Sequence, residues 1–65
     1  MTNNIQTENL LLLKNNGKAT AVEVLNADEQ KTFVVFPNGN IYELKSWENN
    51  TIELKDYPQK LEVME

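Results

Sequence analysis

A chain of 65 residues with a formal charge of −4 has room for one small domain and little else. At that size folding buries only about 60% of the unfolded surface, so the core is thin and a partner subunit is a natural source of further burial. Cysteine and histidine are both absent, which excludes disulfide staples, thiolate metal sites and the usual general base near neutral pH.

The opening, residues 1–7, is polar and is expected to be a mobile tail. It has no basic n-region, so no signal peptide is expected. No apolar run approaches the ~20 residues of a membrane helix, and a soluble cytoplasmic protein is the expectation. Leu10 to Leu13 is the first apolar run. Leucine favours helix, which keeps a short N-terminal helix as the rival, but Asn16-Gly17 directly behind it points to a strand and a hairpin.

Further turn signals follow at Asn26 to Gln30, at Asn38-Gly39 and at Glu48-Asn49-Asn50. Between them Val22 and Val24, Phe33 and Val35, Tyr42 and Leu44, and Ile52 and Leu54 recur at the period of two that marks strands. After Pro58, Leu61 and Val63 suggest a last short strand. The expected fold is all-β: a single domain over residues 1–65, built as a small antiparallel meander of about five strands. It is expected to curl into a partly open barrel. In layout it is similar to SH3-like and Tudor-like barrels, superfolds that host many functions.

Turn lengths predict the pairing. Two-residue loops at Asn16-Gly17 and Asn38-Gly39 set Leu12 opposite Ala21, Phe36 opposite Ile41 and Val35 opposite Tyr42. A four-residue loop from Ala27 to Gln30 sets Val24 opposite Phe33. A three-residue loop over Glu48-Asn49-Asn50, with Asn50 left-handed, sets Leu44 opposite Leu54. That last register explains why Glu43-Leu44-Lys45 and Glu53-Leu54-Lys55 repeat. Run antiparallel, the copies place Lys45 against Glu53 and Glu43 against Lys55, each pair contributing roughly 0.2–1 kcal/mol. The repeat is architecture; as catalytic carboxylates Glu43 and Glu53 lack any neighbouring reactive group.

On this register the core is Val24, Phe33, Leu44 and Leu54 with Leu11, Val22, Val35 and Tyr42. The opposite face carries a second apolar row of Leu12, Ala21, Phe36, Ile41 and Tyr57. Either the C-terminal residues fold over that row or it meets a partner. Trp47, beside a loop, is a second interface candidate. The candidate protein-binding residues are therefore Leu12, Phe36, Ile41, Trp47 and Tyr57.

Other chemistry is poorly supplied. Both glycines lie in turns, so no phosphate loop exists, and Ser46 has no base. Asp28-Glu29 lacks calcium-loop spacing. Asn49-Asn50-Thr51 matches a glycosylation sequon by composition alone. All six cations are lysine, and zero arginine argues against a nucleic-acid reader. Ten asparagines fit an AT-rich coding sequence, as in a low-GC bacterium or its phage. No catalytic residue, cofactor or metal is expected. The expectation is a binding protein: a regulator, an accessory subunit or a phage-type inhibitor of a host protein, acting on a protein partner or as a homodimer through the apolar row. Single-stranded nucleic acid, stacked on Trp47, Tyr42 or Tyr57, is the alternative.

Overall fold

The computed structural model describes residues 4–26 and 28–64. They form β1 (Asn4–Leu13), β2 (Gly17–Asn26), β3 (Glu29–Val35), β4 (Ile41–Glu48), β5 (Thr51–Leu54) and β6 (Leu61–Glu62). All neighbours pair antiparallel in the order β1-β2-β3-β4-β5-β6, and no helix occurs among the described residues. The all-β meander is as expected, with the segment after Pro58 supplying the sixth strand.

The sheet curls until its two edges touch at one end. Leu13 bridges Val63; the Lys14 N–H donates to the Glu62 carbonyl at 2.9 Å and the Met64 N–H to the Leu12 carbonyl at 2.8 Å. This seam is short, and β1 before it is a sheet edge. The long β1–β2 ribbon runs past the closed end and stretches the molecule to 41 × 22 × 19 Å.

Inside the curl lie Leu11, Leu13, Ala19, Ala21, Val34, Ile52, Leu54 and Leu61, all buried. Alanine at 19 and 21 has a physical reason. Small side chains on the inner face of β2 leave room for Ile52, Leu54 and Leu61 from across the barrel, the small-against-large filling that narrow barrels need. Phe36, Tyr42, Leu44, Tyr57 and Val63 pack around this core.

Three registers differ from expectation. In β1–β2 the turn takes Lys14 to Asn16, and Gly17 at φ +77° opens β2 opposite Leu13. Leu12 therefore faces Lys18, not Ala21, and Leu11 faces Ala19. In β2–β3 the connection is tighter: Asn26 pairs with Glu29 and Val22, not Val24, pairs with Phe33. In β3–β4 the loop is Pro37-Asn38-Gly39, with Phe36 bonded to Asn40 and Gly39 at φ +95°. Val34 thus faces Tyr42, and Val35 faces Ile41. The first and third slips, of three residues and of one, are odd and invert the face of the side chains on one strand relative to the next, while the second, of two, does not. Phe33, Val35, Val22 and Val24, expected in the core, lie on the outer face; Val34 and Ala21 go in.

The tail also needs correction. Residues 4–7 belong to β1, where they pair with Glu23 to Asn26; residues 1–3 lie outside the described residues. Without helix, the leucine run is strand throughout.

The β4–β5 pairing follows expectation at its centre. Leu44 faces Leu54, and the Lys55 N–H donates to the Glu43 carbonyl at 2.9 Å. The extra residue sits elsewhere than expected: the turn is Asn49-Asn50 with Asn49 left-handed at φ 54°, and a bulge between Leu44 and Ser46 absorbs the difference. Lys45 Nζ still reaches Glu53 Oε2 at 3.3 Å, whereas Glu43 and Lys55 meet through backbone only. A double-mutant cycle on Lys45 and Glu53 should give a coupling of at most about 1 kcal/mol that shrinks with salt, because Lys45 is open to solvent. A salt-insensitive coupling of several kcal/mol is the contrary result.

Candidate functional site

Registers decide which apolar side chains stay outside. Leu10 pairs with Thr20, Thr20 with Val35, and Val35 with Ile41, so these four line up across β1 to β4 on the outer face. Glu8, Val22, Phe33 and Glu43 form the adjoining row by the same pairings. Leu10 is 67% exposed and Ile41 62% exposed. Between them Val22, Phe33 and Val35, each half-buried, floor a shallow hollow of about 340 Å³ rimmed by Gln6 and Glu8. An apolar floor with a polar rim is the usual make-up of a protein-contact patch.

The five expected interface residues do not share this surface. Leu12 lies on the outer face beside Lys18, its carbonyl held in the seam. Ile41 is at the end of the observed row. Phe36 and Tyr57 face inward: their rings stack at 5.8 Å, with Tyr42 edge-on to both at 5.7 and 4.9 Å. Trp47 is opposite Ile52 at the open mouth of the barrel, 44% exposed, its indole N–H donating to the Asn49 carbonyl at 3.0 Å. The expected row of Leu12, Ala21, Phe36, Ile41 and Tyr57 is thus split between two faces, and Ala21 is core. Leu10, Val22, Phe33 and Val35 take its place. Pro37 carried the missing signal. Proline favours the first corner of a type I turn and Gly39 the left-handed position after it, which makes a three-residue loop and shifts the pairing by one.

Glu8 and Glu43 border the patch, and several charges elsewhere on the surface are paired. Lys31 lies 3.9 Å from Glu29, Lys14 3.3 Å from Glu62, and Gln30 donates to Glu23 at 3.3 Å. Among the described residues no cluster of acidic side chains is placed to hold a metal ion. Among the described residues no helix is long and apolar enough to cross a membrane.

No protein-family model, no curated protein and no solved structure matches this chain.

Proposed function

We propose that this is a non-catalytic protein-binding domain, an acidic regulator, accessory subunit or inhibitor of a host protein, that recognises its partner with the outer face of β1–β4. The observation that carries the reading is the aligned row of Leu10, Val35 and Ile41 over Val22 and Phe33. These side chains stand outside a core that is complete without them. A protein partner fits better than single-stranded nucleic acid. Tyr57 stacks on Phe36 and Tyr42 sits edge-on to both instead of lying open as a platform, and three of the six lysines, Lys14, Lys31 and Lys45, lie beside glutamates.

Covering a fully exposed Ile or Leu contributes roughly 1.5–3 kcal/mol, so one such residue is worth about tenfold or more in affinity. Ile41→Glu and, at the other end of the row, Leu10→Glu should each abolish recovery of a partner captured by the wild-type chain from its source cell. Circular dichroism melts of the two variants should stay near wild type. Undiminished capture by both folded variants would sink the proposal.

A further inference from the structure

We infer that two copies of this chain associate through β1, edge to edge and antiparallel, in one register centred on Thr7. This goes beyond the outer-face reading: it shares Gln6, Glu8 and Leu10 with the border of that face but rests on the outward backbone groups of β1.

The seam bonds use the Leu12 carbonyl and the Lys14 N–H, so even-numbered residues of β1 aim their backbone groups away from β2. Among the described residues, nothing pairs with that edge at Gln6, Glu8 or Leu10. An open edge of this length is normally guarded by lysine, proline or a bulge. Here Asn4–Leu13 contains a single charge, Glu8, and none of those devices. The free stretches where β3 and β4 diverge, Glu29 to Thr32 and Leu44 to Glu48, are guarded, since Glu29 and Lys31 sit in the first and Lys45 and Glu48 in the second. Among the described residues, β1 offers the long unguarded template.

Its occupant is set by complementarity. Outward groups lie on even residues, so an antiparallel copy must pair even with even. Centring on Glu8 puts that carboxylate against its own copy. Centring on Gln6 sets Leu10 opposite residue 2, outside the described residues, and uses fewer of the described edge positions. Centring on Thr7 pairs Gln6 with the second copy's Glu8, Glu8 with its Gln6, and Leu10 with its Asn4. It uses every free even residue from 4 to 10. Gln6 already donates to Glu8 at 3.2 Å within one chain, so the amide–carboxylate contact is chemically matched and has only to be made across strands.

The same register sets the second copy's Ile5 opposite Asn9. Ile5 is 56% exposed in the single chain, and Asn9 lines the hollow of about 330 Å³ that Leu44 and Trp47 share at the barrel mouth. Two exposed apolar side chains, Ile5 and Trp47, then cover each other. The two-fold closes the edge, so assembly stops at a dimer.

A cysteine scan tests the register, since the chain has no cysteine of its own. Thr7→Cys sits on the two-fold in a non-hydrogen-bonded pair, where Cα atoms lie about 4.5 Å apart, and should oxidise to a covalent dimer. Gln6→Cys and Glu8→Cys sit two positions from their copies, beyond the ~7 Å limit, and should not. Sedimentation equilibrium should show a dimer, and Trp47 fluorescence should shift to the blue as concentration rises. Glu8→Pro removes only an outward N–H and should leave a folded monomer. The inference is overturned by a wild-type monomer at about 500 µM, where even a dimer with Kd near 1 mM is well populated. It is also overturned by preferential cross-linking at position 6 or 8, or by a dimer that survives Glu8→Pro. If Glu8→Pro fails to fold, the Thr7→Cys result decides.

Discussion

Ile52→Ala should leave a large fraction of the chain unfolded at room temperature. Ile52 is 0% exposed, placed between Trp47 of β4 and Leu61 of β6, at the point where the barrel folds over its own core. Truncating a buried isoleucine to alanine costs about 2–5 kcal/mol, the upper end where the walls cannot collapse into the gap. A domain of this size has a total stability of about 3–10 kcal/mol. Few residues surround the site, and β5 has only four residues of ladder to hold it. A urea titration followed by circular dichroism checks this: the midpoint should fall by a third or more. An unmoved midpoint would mean that β5 and β6 contribute little to the packed state.

Phe36→Ser and Ile41→Ser should behave in opposite ways, although a register one residue different makes them neighbours in a single row. Phe36 stacks on Tyr57 and abuts Tyr42, and the three rings close the core beneath the Pro37-Asn38-Gly39 loop. Losing its ring removes partly buried apolar area and two aromatic contacts of about 0.5–1.5 kcal/mol each, roughly 2–4 kcal/mol in all. Ile41 is well exposed on the outer face, and its replacement should change stability by no more than about 0.5–1 kcal/mol. Parallel thermal melts settle the matter. Equal destabilisation by the two substitutions would mean that the outer face is packed as well.

The strands themselves were legible because alternation and turn residues are local properties. Leu44 against Leu54 was legible for a second reason: charge complementarity between the two Glu-Leu-Lys copies constrained the register independently of the turn. The other hairpins had turn length alone, and turn length is where sequence speaks least clearly. Asn16-Gly17 and Asn38-Gly39 look like the same two-residue signal. In the first, Gly17 takes its left-handed conformation one step later, as the opening residue of β2; in the second, Pro37 widens the loop to three. These two slips, of three residues and of one, are odd, so each exchanges the faces of a strand relative to its neighbour, whereas the slip of two between β2 and β3 does not. That is why the fold class was read correctly while the apolar outer row was assigned to different side chains. Ala19 and Ala21 went unrecognised as core for a related reason. Their value lies in being small where the far wall comes close, and only closure of the barrel reveals that.

The seam also bears on how the chain reaches its folded state. Every other ladder joins strands that are consecutive in sequence, so each hairpin can form from its own turn with little loop entropy to overcome. Among the described residues, the Leu13–Val63 bridge is the one strand pairing that ties the early chain to its last residues, beside the core packing of Leu11 and Ala19 with Ile52 and Leu61. Contact order is consequently low for a closed β architecture, which favours fast folding by successive local zippering. The long-range strand pairing is a single latch, held by two backbone hydrogen bonds and one ion pair.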